Sequence, residues 1–381
     1  REQYVPRAKL GVLAPYTGFY GLTSLDWDGV ETDVRGARHI PAHSYDLQVH
    51  VSRQVPESLG RVDAQTVITG AVDELDRESY YVLRASAGES FIGEVTGDID
   101  IRAGVYDYLY GAMTLLGEHE DDRLVWRSFE GESALLGVAD AAGVGGSFEL
   151  TLSPLSMLEL GPVTQDEGFG ELLTLPAGTS SQFYRLDLES PGMATVDVNG
   201  DLGLAATVRG LDLAIVRGPT PLPASFDVVG NEEGIFLEIG TMDGSPLPAD
   251  ANAGLNATLE PPLSHQPSIG RSDSLFIEPP VAVAGTLEGP DDVHWVRFEV
   301  TDPVRFQAAV LPRGNRGPGN TALAIYDEFG HQRAANYDGG PGSYSRLDLN
   351  IELEGTFYLG LLTMNEEPGD YILEVLTEVL R

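Results

Sequence analysis

Along most of the chain apolar and polar residues alternate with period two in short runs, as in 148-FELTL-152, 256-NATLE-260 and 371-YILEV-375. Period two places alternate side chains on opposite faces of a half-buried strand. No long stretch carries the 3.6-residue apolar periodicity of a helix, and 45 glycines and 24 prolines punctuate the runs with turns. The pattern predicts an all-β protein built of tandem antiparallel β-sandwich, jelly-roll-like modules. At 381 residues the chain is long enough for two to four separate cores.

Three segments of about a hundred residues read as degenerate copies of one another. Each opens with a short strand, a turn and an aromatic strand: 67-VITGAVDELDRESYYVLRA-85, 172-LLTLPAGTSSQFYRLDLES-190 and 284-AGTLEGPDDVHWVRFEV-300. In the last of these Val293, Trp295, Phe298 and Val300 are the inward candidates. Each copy is expected to close with a glycine-led hairpin, led by Gly131, Gly234 and Gly355. Proline-rich punctuation divides the chain into 1–60 (an N-terminal arm and lead-in strands), 61–156, 157–262 and 263–381. The stretch 261-PPLSHQPSIGRSDS-274 is expected to be a linker.

Charge sets the first segment apart. Residues 1–60 are nearly neutral at net -1, whereas the following three segments carry -12, -13 and -10, for a total of -36. Such a field disfavours nucleic acid and anionic membranes and attracts cations and basic partners. Lys9 is the only lysine, and cysteine is absent, which excludes disulfides, thiolate metal sites and cysteine nucleophiles. There is no apolar run of membrane-spanning length, so no membrane insertion is expected. The chain begins at Arg1 rather than Met, as expected of a secreted or cell-surface protein whose signal peptide has been removed.

The arm contains 4-YVPRAKLGVLAPYTGFYGLTSLDW-27, apolar, aromatic and interrupted by proline and glycine, and is therefore expected to be extended. Tyr4, Val5, Leu10, Val12, Leu13, Tyr16, Phe19 and Tyr20 would pack on the chain's own first module or add as a strand to an open sheet edge of a neighbouring copy. The second arrangement would place Arg1, Arg7 and Lys9 against an acidic neighbour and build a homo-oligomer or head-to-tail filament.

The closing segment resembles the bacterial pre-peptidase C-terminal (PPC) domain. The residues that carry the resemblance are Gly285, the strand from Asp291 to Phe298, 323-LAIYDEFG-330, and the GTFYLGLL and GDYILEV pair, together spanning 275–377. The two preceding segments share only the pattern. The resemblance implies a compact β-sandwich of the kind appended to secreted enzymes and surface proteins and related to the collagen-binding domains of clostridial collagenases. In those collagen-binding relatives, calcium ligation uses an acidic opening motif, Glu-Pro-Asn-Asp. Here Asp273 and 278-EPP-280 occupy that neighbourhood.

Candidate chemistry is sparse. There is no GxSxG nucleophile elbow, HExxH or phosphate loop. His39, His43 and His50, with Asp46, have a zinc-like composition, but Pro41 argues against the helix that His-x₃-His would need. Asp197, Asn199 and Asp201 alternate as in a calcium loop, yet Leu202 and Val208 stand where an EF-hand needs Gly and Glu, so a turn at Asn199-Gly200 is expected instead. Asp291 and Asp292, with Asp327 and Asp338, are further candidate Ca²⁺ ligands at sandwich ends. The acids, the tyrosines and His331 of 323-LAIYDEFGHQRAANYDGG-340 have the composition of an active site, but the repeat context makes them a strand, a turn and a returning strand. The residues together point to a non-enzymatic, secreted structural or adhesive protein. Its partners would be further copies of itself and an extracellular matrix protein or polysaccharide, held by aromatic residues on exposed sheet faces. The alternative is the non-catalytic substrate- or matrix-binding region of a secreted hydrolase.

Overall fold

The computed structural model describes residues 57–381 outside 73–77, 98–100, 110–111, 119–122, 129–132, 141–144, 212, 214, 266–269, 315–316, 337–343, 365–367 and 381. Before residue 57 it describes only two short strands, β1 (Glu31–Thr32) and β2 (Arg38–His39), paired antiparallel. The arm residues Tyr4, Val5, Leu10, Val12, Leu13, Tyr16, Phe19 and Tyr20 lie outside the described residues, as do His43, Asp46, His50 and Asp338.

The chain is all-β, and a single 3₁₀ turn, Arg271–Asp273, interrupts the strands among the described residues. A first set of nine strands comprises β3 (Glu57–Arg61), β4 (Thr66–Val72), β5 (Glu78–Arg84), β6 (Ser90–Gly97), β7 (Ile101–Leu109), β8 (Ala112–Glu118), β9 (Arg123–Arg127), β10 (Ser133–Asp140) and β11 (Gly146–Pro154). A second nine comprises β12 (Met157–Val163), β13 (Phe169–Thr174), β14 (Ser181–Leu188), β15 (Gly192–Gly200), β16 (Leu204–Arg209), β17 (Ile215–Pro221), β18 (Ala224–Gly230), β19 (Ile235–Thr241) and β20 (Asn252–Glu260). The remaining ten are β21 (Leu263–Ser264), β22 (Leu275–Phe276), β23 (Val281–Leu287), β24 (Val293–Val300), β25 (Val304–Pro312), β26 (Thr321–Asp327), β27 (Gln332–Asn336), β28 (Arg346–Ile351), β29 (Gly355–Thr363) and β30 (Gly369–Val379).

The sets repeat one topology. The first forms sheets β3-β5-β10-β7-β8 and β4-β11-β6-β9, and adding nine to every label gives the two sheets of the second, β12-β14-β19-β16-β17 and β13-β20-β15-β18. In the third, β24-β29-β26-β27 and β23-β30-β25-β28 keep the order, and the lead-in strand is split so that β21 joins one sheet and β22 the other. These lead-in pairs, β3 with β5, β12 with β14, β21 with β23 and β22 with β24, are parallel. The segment 261–274 is therefore no free linker where it is described: it supplies β21 and the 3₁₀ turn.

Two further expectations are corrected here. The closing pairs are not hairpins: β10 and β11, β19 and β20, and β29 and β30 each divide between the two sheets of their set. An alternating strand, a turn and another alternating strand look alike in sequence whether the second strand pairs with the first or crosses to the facing sheet. For the same reason Asn199-Gly200 is no hairpin turn, since β15 runs through Gly200 and the chain crosses at 201–203 to β16 in the other sheet.

Each pair of sheets encloses its own apolar cluster. Phe148, Leu150 and Leu152 of β11 point into the first; Ala253, Leu255, Ala257 and Leu259 of β20 into the second; and Tyr371, Leu373 and Val375 of β30 into the third. A fourth cluster joins them: Val125 of β9, Phe183 and Phe236 of β14 and β19, Val229 of β18, and Ala284, Ile372 and Leu376 of β23 and β30. Burial on both faces explains why β16 and β19 lose the alternation.

Candidate binding site

The acids singled out as calcium ligands, where described, lie on separate turns and strands. Asp197 and Asn199 lie exposed on β15, and Asp201 accepts from the Asn252 backbone N–H at 3.1 Å. Asp291 is exposed, while Asp292 accepts from the Glu288 N–H at 3.0 Å and faces His294. Asp327 closes the β26–β27 turn, accepting from the His331 N–H at 2.8 Å and the Arg333 guanidinium at 2.7 Å. Burial works against its charge, but the His331 N–H and Arg333 prevail and hold its carboxyl below the usual range. Among the described residues no three His, Asp or Glu side chains converge as metal ligands would. The active-site composition of 323–340 thus resolves, where it is described, into a hairpin, with Leu323 and Ile325 buried, the turn at 328–330 and the return strand at Gln332–Asn336.

The chemistry missed in the sequence lies on the inner face of β24. That face carries His294, Val296, Phe298 and Val300, so Val293 and Trp295 are one residue out of phase with their expected inward direction. A histidine in a core position reads as a phase break, yet here it is satisfied. The His294 Nδ1 lies 2.7 Å from the Tyr371 hydroxyl and its Nε2 lies 3.1 Å from Asp292. His265, which follows β21, approaches the same hydroxyl with Nδ1 at 2.9 Å and the Trp295 carbonyl with Nε2 at 3.1 Å. A carbonyl only accepts, so Nε2 of neutral His265 carries the proton, and the single Tyr371 hydroxyl hydrogen is shared between the Nδ1 atoms of His265 and His294. Burial pushes His265 down to about 4, helped by His294, and lowers His294 against the pull of Asp292. Tyr371 is pushed up by burial. With His265, His294 and Tyr371 at 6%, 2% and 0% exposure, the cluster is closed to substrate and acts as a lock that joins the lead-in to β24 and β30.

On the outer face of the β24 sheet a row of side chains crosses all five strands. Phe276 of β22 pairs with Arg297 of β24, Arg297 with Tyr358 of β29, Tyr358 with Tyr326 of β26, and Tyr326 with Gln332 of β27. Five positions in register span four inter-strand gaps, about 19 Å. The neighbouring row is Trp295, Gly360, Ala324 and Ala335. Trp295 lies over Gly360, where a Cβ would stand 2.9 Å from the indole. Its ring sits 5.5 Å from that of Tyr326, and the Arg271 guanidinium lies 5.5 Å from the first and 5.2 Å from the second. Arg297 lies 5.7 Å from the ring of Phe276. The terminal nitrogens of Arg271 lie beside Gly330 of the β26–β27 turn, 2.9 and 3.2 Å from where a Cβ would stand there.

The described residues therefore define an all-β chain with a ring-bearing sheet face and a buried histidine lock beneath it. No family model and no curated protein matches the chain. Among solved structures it is similar to the pre-peptidase C-terminal domain of collagenase from Bacillus anthracis, at 20% identity over 27% of this chain and 94% of that one, with a TM-score of 0.24. It is similar also to tandem CBM51 modules of a family 98 glycoside hydrolase from Streptococcus pneumoniae, at 9% identity over 57% of this chain and 87% of that one, with a TM-score of 0.19. Tripeptidyl peptidase 2 matches over 84% of this chain and 24% of that one, at 10% identity and a TM-score of 0.24.

Proposed function

We propose that the chain is a non-enzymatic, secreted or cell-surface attachment protein: an arm at 1–60 and three tandem β-sandwich modules at 61–156, 157–262 and 263–381, the last of which holds a matrix polymer. The observation that carries the reading is the outward row Phe276, Arg297, Tyr358, Tyr326 and Gln332. The solvated face of an antiparallel sheet is ordinarily polar, whereas this one presents four rings, Phe276, Trp295, Tyr326 and Tyr358, and two ring-stacked arginines. Phe276 is 41% exposed, so the row is open to a partner at that end. A rigid sheet face is also well suited to holding an extended polymer, because little side-chain freedom remains to be lost on binding.

The test is retention of the intact chain on immobilised collagen, gelatin and a panel of polysaccharides, with the Tyr358→Ala variant alongside. Tyr358 is half-buried in the row and outside the core clusters, so its truncation should leave the melting temperature within a few degrees while weakening retention about tenfold, roughly 1.4 kcal/mol. Equal retention of both proteins on every polymer that binds would remove the face from the function. Assembly of copies through the arm is a separate proposal. It predicts filaments in electron micrographs that disappear when residues 1–25 are deleted, and monodisperse particles in both samples would defeat it.

A further inference from the structure

The charge pattern around the row narrows the class of polymer. Most described arginines are spent on carboxylates: Arg123 and Arg209 on Glu238, Arg127 on Glu233, Arg305 on Asp348 and Arg333 on Asp327. Arg271 and Arg297 differ, each lying against aromatic rings with no carboxylate within ion-pair distance among the described residues. A polycation would be drawn by the chain's net charge and by Glu299 on the same face of β24, but within the row itself it would meet these two guanidinium groups. A polyanion would have to approach a chain of net charge -36, whose field opposes it at every distance where salt does not screen it. An uncharged polymer meets neither penalty.

Backbone geometry bears on the choice between a polypeptide and a sugar chain. The ring-bearing strands β24, β29 and β26 each have a hydrogen-bonded neighbour on both sides, so their ladder groups are already used and strand addition is not available there. Over these three strands recognition must come from side chains; among the described residues only the end strands β22 and β27, each with a neighbour on one side, keep a ladder edge. Rings receive the C–H face of a pyranose, and guanidinium and amide groups donate to its hydroxyls. The row alternates these elements in the order ring, guanidinium, ring, ring, amide across about 19 Å, which suits several consecutive sugar units. Beside it, Gly360 and Ala324 keep the neighbouring row low next to the indole of Trp295.

We infer that the sheet face of β22, β24, β29, β26 and β27 binds an uncharged polysaccharide, with pyranose faces on Phe276, Tyr358 and Tyr326 and hydroxyls on Arg271, Arg297 and Gln332. This rests on the attachment reading above and names its ligand class. The experiment is affinity electrophoresis of the intact chain in gels containing xyloglucan, hydroxyethylcellulose, mannan or dextran, with polygalacturonate and gelatin as charged and polypeptide alternatives. Native protein, Tyr358→Ala, Phe276→Ala and Arg297→Gln are run together after their melting curves are matched.

At least one neutral polysaccharide should retard the native protein, with retardation insensitive to salt. Tyr358→Ala and Phe276→Ala should each weaken the apparent affinity about tenfold, and Arg297→Gln severalfold. Binding confined to gelatin or polygalacturonate, and lost in Tyr358→Ala, would overturn the ligand class while leaving the face in place. Retardation by a neutral polysaccharide that none of the three variants alters would overturn the face itself. No retardation in any gel would overturn the inference outright.

Discussion

His265 and Glu374 are both buried, yet pH acts on them in opposite senses. His265 is held near 4, against an ordinary value of 6.5, because burial and His294 disfavour its charge. As pH falls below 6.5 the unfolded chain takes up this proton first, so the stability from the lock is complete above 6.5 and is lost as pH falls toward 4. Many carboxylates titrate near the lower end of that window, so the informative quantity is the difference in melting temperature between native protein and His265→Gln. That difference should shrink steadily between pH 6.5 and 4, and a constant difference would show that His265 is not the titrating group. Glu374 of β30 is raised, chiefly by burial, and Arg346 and Arg217 only partly offset this. Its Oε1 accepts from the Val229 N–H at 3.2 Å. Above its ordinary value of 4.5 the unfolded chain releases the proton more readily than the folded one, so ionisation costs stability as pH rises. Glu374→Gln keeps an acceptor for Val229 without the charge. Its melting temperature relative to native should therefore rise from pH 4.5 to pH 8, and a pH-independent offset would contradict the assignment.

At the scale of the element, β24 carries the lock on one face and the candidate binding row on the other, and the two are tied through the Trp295 carbonyl that accepts from His265. The indole in turn needs Gly360. In Gly360→Val the new Cβ would stand 2.9 Å from the ring, so Trp295 must leave the position it shares with Arg271 and Tyr326. A strained repacking of this kind costs about 1–3 kcal/mol. Denaturant unfolding of the variant should show that loss together with weaker polymer retention, and unchanged retention would mean that the indole does not shape the row. How far such an element is legible in sequence depends on what its two faces do. The alternation of β11 and β20 was plain, because one face is apolar and the other is solvated. In β24 the buried His294 stands where an apolar residue is expected, which shifted the apparent phase. Its reason, the Tyr371 hydroxyl, lies 77 residues further along the chain and cannot be seen locally. Among the calcium candidates, composition does not tell which acids the turns engage: Asp201 accepts from Asn252 and Asp327 pairs with Arg333.

Across the whole molecule, three copies of one strand order were legible as a recurring pattern, whereas the joints between them were not. The joints are made by strands whose outer faces carry charge in sequence and lose solvent only on packing. Arg123 of β9 donates to Glu238 of β19 at 2.9 Å, and Arg209 of β16 grips the other oxygen at 2.9 and 2.6 Å. Burial would raise the carboxyl of Glu238, but Arg209 and Arg123 outweigh it and keep it below its ordinary value. Arg127 reaches across the same joint to Glu233 at 2.6 Å and stacks 5.1 Å from Phe236. A network of this kind adds little compared with an apolar joint of the same shape, but removing its shared carboxylate leaves the buried guanidinium of Arg209 unpaired, with the partly exposed Arg123 beside it, at a cost of about 3 kcal/mol. Glu238→Ala should therefore weaken the joint more than it weakens either core, since Leu237 and Ile239 still point inward. In calorimetry the native first and second strand sets should unfold in one transition, and Glu238→Ala should divide it, with the set containing Arg123 melting earlier. Arg123→Ala should produce a smaller effect, and the two substitutions together should cost less than the sum of the singles because they share one network. Two separate transitions already present in the native protein, or strict additivity of the pair, would show that the joint does not couple the sets. In that case the fourth apolar cluster, rather than the buried charge, would be the contact that the first two sets share.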